Sequence, residues 1–215
     1  MISIDEEDIE YQLLFKIIIV GDSSVGKTNI LSRYTYGKFS EEYEVTIGTE
    51  FMAKNISIND RNVRMQIWDT AGSEAYHSIT RSYYKNSTCA FIVYDITEKR
   101  TFYDINNWLQ DCRDLCYKNV LIYLIGNKSD LEDKRQVSQE EGKKFAEENN
   151  LVFYETSALN GNNIEEIFIQ SATDLVNKLE AGEFNNDLAN SGIKIFQYPN
   201  KGIEDKMLNK NNGCC

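Results

Sequence analysis

The residues able to do chemistry cluster in four short segments. The run Gly21-Asp22-Ser23-Ser24-Val25-Gly26-Lys27-Thr28 is a complete phosphate-loop pattern, with Asn29 following it. Its glycines let the N–H groups of Ser23, Ser24, Val25 and Gly26 curl round phosphate oxygens. Lys27 brings a point charge, and Thr28 offers a hydroxyl to Mg²⁺. Trp68-Asp69-Thr70-Ala71-Gly72 sets an acid where a Mg²⁺ site needs charge, commonly through a bound water. In Asn127-Lys128-Ser129-Asp130 the carboxylate can accept from both guanine N1–H and its amino group, a pair adenine does not offer. Thr156-Ser157-Ala158-Leu159 is a short turn able to close over a base.

Each segment needs an element to hold it. Leu14–Val20 is a β-rich apolar run that Gly21 ends, so the first segment follows a strand and opens a helix; a chance glycine-rich turn lacks that context. Val63, Met65 and Ile67 alternate with Arg64, Gln66 and Trp68, as in a half-buried strand. Cys89–Tyr94, Val120–Ile125 and Leu151–Tyr154 read as parallel strands covered on both faces. Between them Phe102, Ile105, Leu109, Cys112 and Cys116 step by three and four, as do Ile164, Ile167, Phe168, Leu175 and Leu179. Ser138 with Glu141 forms a capping box. This alternation predicts an α/β fold: a doubly wound, mostly parallel six-stranded sheet with helices on both faces. All four chemical segments then sit at carboxyl ends of strands, where such sheets bind ligands.

Composition removes other classes. The chain has 215 residues and a net charge of −11, which argues against nucleic acid, since a duplex binder needs surplus Lys and Arg. No run of 18 apolar residues occurs, so no segment is expected to span a membrane. Residues 1–12 carry five acids and no base, the reverse of a secretory leader. Five Cys with no CxxC pattern suit a reducing compartment. The expected organisation is an acidic flexible flank over 1–12, a domain over 13–179, and a flexible tail over 180–215.

These residues resemble the Ras-like small GTPases, and within them the Rab branch, over about residues 13–180. GDSSVGKT, TIGTEF, WDTAG, GNKSD and ETSA stand in that family's order and spacing. The resemblance implies a P-loop NTPase fold and a GTP/GDP switch that needs Mg²⁺ and hydrolyses GTP. It implies that Thr46 binds Mg²⁺ beside Thr28 and Asp69 and senses the γ-phosphate, as does the Gly72 backbone. Phe39 then packs on the guanine and Tyr43 lies over the phosphates. Asp130 reads the base, braced by Asn127 and Lys128, while Ala158, flanked by Ser157 and Leu159, meets the guanine oxygen through its backbone. Lys27, Thr46, Gly72 and Ser73 form the catalytic set. Ser73 departs from the pattern, which has a water-orienting Gln at that position.

Rab character rests on TIGTEF, on Ser82-Tyr83-Tyr84, and on Gly213-Cys214-Cys215, which resembles a double-cysteine prenylation site. Thr49 stands where an apolar residue or Ala is usual. LSRYT and ETSAL resemble the recycling-endosome branch; ITRSYY, IGNKSD and GIKI resemble the ER–Golgi branch, and the choice stays open. The resemblance implies a vesicle-traffic monomer in the cytosol and on Golgi or endosomal membranes. Its partners would be effectors, an exchange factor, a GTPase-activating protein and a prenyl-binding chaperone. Phe51 and Trp68 fall in phase with polar neighbours on one sheet face; with Tyr83 they resemble the Rab aromatic triad that meets effectors. A nearly neutral tail gives no polybasic help at a membrane, so stable anchoring requires lipid on both Cys214 and Cys215. Two rivals remain: a module of the same fold that holds GTP and barely hydrolyses it, and a P-loop ATPase or kinase, which NKSD disfavours. His77 reads as a surface contact, and Cys89, Cys112 and Cys116 as core.

Overall fold

The structure, a computed structural model, describes residues 11–40, 46, 49–72, 82–184 and 188–196. Six strands build the sheet: β1 (Leu13–Val20), β2 (Thr49–Ile58), β3 (Arg61–Thr70), β4 (Cys89–Asp95), β5 (Leu121–Asn127) and β6 (Val152–Glu155). Their spatial order is β2-β3-β1-β4-β5-β6. Only β2 runs antiparallel, paired with β3; the other neighbours are parallel. The order reverses beside β1, and the phosphate-loop segment leaves the carboxyl end of β1 at that crevice.

Burial explains the sequence of the strands. In β1 every residue but Lys16 is buried, because helices cover both faces of the sheet. Phe15, Ile17 and Ile19 point into a core shared with α1 (Lys27–Tyr36) and α5 (Ile164–Glu180). Ile18 and Val20 point the other way, towards Trp108, Leu109 and Cys112 of α3 (Ile105–Leu115) and Ala146 of α4 (Gln139–Asn149). The expected capping box starts α4: Ser138 N–H donates to Glu141, and Glu141 N–H donates to the Ser138 hydroxyl. The stripe from Phe102 to Cys116 is divided between α2 (Lys99–Tyr103) and α3. At the junction Asn107 N–H reaches back three residues to Asp104, a tighter turn that a three-and-four spacing does not distinguish from a continuous helix.

The ends differ from the flanks expected beyond residues 12 and 180. After α5 the chain keeps packing: Phe184, Ser191 and Ile193 are buried around a short helix, α6 (Leu188–Ser191). It then adds a seventh strand, β7 (Lys194–Ile195), antiparallel to Leu13 and Leu14 of β1. Phe196 N–H donates to the Gln12 carbonyl, and its ring meets Tyr11 edge-on at 5.0 Å. Gly192 has φ +78° and lies against the Asn86 carbonyl, so close that an added Cβ would stand 1.7 Å from that oxygen. Two isolated buried apolar residues, Phe184 and Ile193, and a two-residue strand are too sparse to register as a period, so this strap was not visible in the sequence.

Candidate functional site

The phosphate loop joins β1 to α1, and the first helical residue is Lys27. Lys27 is buried, and its ammonium donates to the Gly21 and Asp22 carbonyls at 2.8 and 2.7 Å. Burial lowers its pKa to about 8, opposed by the charges of Asp69 and Asp22. Thr28 follows on the same helical turn. Its hydroxyl donates to Asp69 Oδ2 at 2.6 Å and lies 3.0 Å from the Thr46 hydroxyl. Asp69 comes from the end of β3, where it is fully buried and its Oδ1 finds no donor among the described residues. Burial raises its carboxyl to about 6, opposed by Lys27 and by the Thr28 hydrogen bond.

This corner therefore sets a buried carboxyl beside a buried ammonium, each costly to ionise alone. The donor set fits Mg²⁺: an orphaned carboxylate oxygen and two hydroxyls within one hydrogen-bonded cluster, all hard oxygens. No group of three or more His, Cys, Asp or Glu suited to a metal occurs among the described residues. Gly72 lies against the loop from the β3 side. A Cβ there would stand 2.4 Å from Asp22 C and Ser23 N, so only glycine lets these backbones approach.

The second half of the site lies at the ends of β5 and β6. Asn127 is buried, its amide donating to the Val25 carbonyl at 2.8 Å and its oxygen accepting from Thr156 at 3.1 Å. One side chain thus ties the phosphate loop to both base-side segments. Lys128 takes a positive φ of 67° and pairs with Asp95 at 2.6 Å. Asp130 accepts from the Ser157 hydroxyl, and Ser129 N–H donates to the Thr156 carbonyl at 3.0 Å. Ala158 is buried and Leu159 is exposed. Phe39 is half-buried against the α1 face of the core, close in sequence to Ser40, which exchanges two hydrogen bonds with Asn29. Ser23, Ser24, Val25, Gly26 and Lys27 surround the start of α1 as the motif requires. Tyr43, Ser73, His77, Cys214 and Cys215 lie outside the described residues.

Two supports were missed in the sequence. Asp22 accepts from the Trp108 indole of α3 at 2.8 Å, and its carboxyl is raised chiefly by burial. Asp95 ends β4, the one central strand end given no role from the sequence, and Thr97 donates to it through both N–H and hydroxyl. A polar residue at that strand end was the available signal; nothing local announced Trp108.

The aromatic face is less open than expected. Phe51 and Trp68 are directly paired across β2 and β3, with rings 4.8 Å apart, and Tyr83 lies 5.1 Å from Trp68. Only Phe51 is exposed; Trp68 and Tyr83 are half-buried against the α3-side core. The Lys16 ammonium sits 5.4 Å from the Trp68 ring. Cys89 and Cys112 are buried, and Cys116 is half-buried beside them. No helix among the described residues is long and apolar enough to cross a membrane.

A mostly parallel sheet with three loop segments converging on a phosphate loop defines a P-loop GTPase fold. The Ras family profile matches residues 16–177, and the chain belongs to that family. It is 49% identical over 177 residues to the Ras-related protein Rab-2B of Dictyostelium discoideum, covering 82% of this chain and 88% of that relative. It thus stands in the Rab branch of the Ras-like small GTPases, whose members are GTP hydrolases.

Proposed function

We propose that this chain is a Mg²⁺-dependent GTP/GDP switch of vesicle traffic, recruiting effectors at membranes in its GTP form and releasing them in its GDP form. The observation that carries the reading is the hydrogen-bonded cluster of Thr28, Thr46 and Asp69 beside buried Lys27. Mg²⁺, when bound there, would neutralise charge developing on the β- and γ-phosphates. The protein supplies the rest. Lys27 and the loop N–H groups grip phosphate oxygens, while Thr46 and Gly72 sense the γ-phosphate from the two switches. Asp130, Ala158 and Leu159 select guanine. Exposed Phe51, with Trp68 and Tyr83, offers effectors an apolar patch. Exchange factor, activating protein and prenyl-binding chaperone complete the partner set of a monomeric Rab. A direct test is nucleotide affinity with and without Mg²⁺, for GDP against ADP. Equal affinity for the two bases would overturn the guanine reading.

Hydrolysis should be slow. Ser73 stands where the family pattern has Gln, and its side chain is shorter than Gln by two heavy atoms, too short to take over the orienting of the attacking water. Positioning by the phosphate loop and Lys27 leaves a residual rate. An activating protein that brings both Arg and Gln in trans restores turnover, an Arg-finger effect of about 10³–10⁵. Ser73→Gln should therefore raise single-turnover hydrolysis without an activator and change the activated rate little. No intrinsic gain would mean that Ser73 does not limit the reaction. A chain that holds GTP with no turnover even with activators would favour the hydrolysis-poor binding module instead.

Membrane attachment is proposed through lipids on the adjacent Cys214 and Cys215. One chain gives marginal, reversible binding, and two give stable anchoring. Cys214→Ser with Cys215→Ser should leave the protein in the supernatant of a membrane pelleting assay, and either single change should leave it partly bound. Pelleting of the double variant would point to attachment through a protein.

A further inference from the structure

Arg33 sits on α1, six residues beyond Lys27, and belongs to neither the phosphate cluster nor the base-reading set. All three of its guanidinium nitrogens grip main-chain carbonyls. Nε donates to Ala158 O at 2.8 Å, Nη2 to Leu159 O at 2.6 Å and Nη1 to Gly37 O at 2.8 Å. Two of these carbonyls lie in the turn after β6, 125 and 126 residues away in sequence. The third closes the carboxyl end of α1, where Gly37 N–H also donates back to the Arg33 carbonyl at 3.0 Å. A planar fork with fixed N–H directions suits this triple grip; a single rotatable ammonium does not.

The grip has a directional consequence. In a trans peptide the C=O and N–H of one unit point opposite ways. Holding the Ala158 carbonyl towards Arg33 therefore aims the Leu159 N–H away from it, and fixes the backbone torsion that orients the Ala158 N–H. Neither N–H donates to any group among the described residues, although Ala158 is buried. From its other side the turn is held by Ser157, which donates to Asp130 and accepts from Asn160 N–H. The two restraints differ in kind: Ser157 links the turn to the carboxylate that reads N1–H and the amino group, whereas Arg33 controls the donors beyond it.

We infer that Arg33 is a positioning residue for guanine recognition, holding the turn at 158–159 so that the Ala158 and Leu159 N–H groups meet the base oxygen. Because the same guanidinium holds Gly37, two residues before Phe39, the base turn and the chain leading to the first switch share one anchor. The inference rests on the guanine reading proposed above for Ala158 and Leu159.

Dissociation of GDP and of 6-thioguanosine diphosphate, which keeps N1–H and the amino group and replaces only the base oxygen with sulfur, a poorer acceptor, is measured from the full-length chain with Mg²⁺. The wild-type chain should retain GDP longer than the sulfur analogue. Arg33→Ala should speed GDP loss by about tenfold, the scale of a lost charge-assisted hydrogen bond, and leave the analogue nearly unchanged. Arg33→Lys, which keeps the charge and can hold one carbonyl, should fall between, and it provides a folded control. If both nucleotides leave faster by one common factor in Arg33→Ala and in Arg33→Lys, Arg33 serves the fold alone and the inference is overturned. If the wild-type chain does not distinguish the two nucleotides, the reading of Ala158 and Leu159 itself fails, and the inference with it.

Discussion

Asp130→Asn is expected to lower affinity for GDP and GTP on the order of 10³-fold or more and to raise affinity for xanthine nucleotides, the largest effect of any single change considered. A site built to hydrogen-bond its ligand rejects a mismatched partner strongly, because buried polar groups are left unpaired. The carboxylate is a double acceptor suited to guanine N1–H and its amino group. The amide keeps one acceptor and gains a donor, which suits the 2-oxo group of xanthine. Ser157 holds one carboxylate oxygen in place and, being a hydroxyl, can turn to serve the amide, so the variant should keep the turn intact. Competition binding with guanine and xanthine diphosphates checks the prediction. Undiminished guanine affinity would remove Asp130 from the site.

The second large effect belongs to Thr28. Its hydroxyl holds Asp69 Oδ2 and touches the Thr46 hydroxyl, so one oxygen joins the helix start, the β3 end and the first switch. Thr28→Asn replaces that hydroxyl with a bulkier carboxamide whose donor and acceptor are set apart. Asp69 then loses the hydrogen bond that offsets its burial, and Mg²⁺ held as proposed would lose a ligand. Mg²⁺ affinity should fall by about 10- to 100-fold. GTP should weaken more than GDP, because on the proposed reading Thr46 and the γ-phosphate both depend on the same ion. Titrating Mg²⁺ against each bound nucleotide measures the difference. Equal losses for GTP and GDP, with effector capture unchanged, would sink the assignment.

How much of this was legible in the sequence depends on the length scale of each contact. The phosphate loop, Asp69, Asn127 and Asp130 were legible because their chemistry is written in consecutive residues at strand ends. β1, β4, β5 and β6 were legible as short apolar runs, Leu14–Val20 broken only by Lys16, and β3 by its alternation; β2, half-exposed at the sheet edge, carries no such signal. Trp108 on Asp22 was not, since its partner is 86 residues away and its own position reads as an ordinary helix residue. Arg33 was invisible for a related reason: it binds carbonyl oxygens, which every residue has, so no side-chain pattern marks the receiving turn. Trp68 is less exposed than its phase with Arg64 and Gln66 implies, because phase says which face a residue occupies, while its depth depends on how Tyr83 and the α3-side core fill the space beside it.

The strap that ends at Phe196 also sets a leash length. Chain leaving the domain at Glu180 could stretch roughly 115 Å to Cys214, whereas chain leaving at Phe196 can stretch only about 60 Å. It leaves, moreover, beside the first residues of β1, while the phosphate loop sits at the far end of that strand, about 25 Å away along the sheet. With lipids at Cys214 and Cys215, the domain would be tethered by its base, the end away from the nucleotide site, and its reach from the bilayer would be about half of what a leash starting at Glu180 allows.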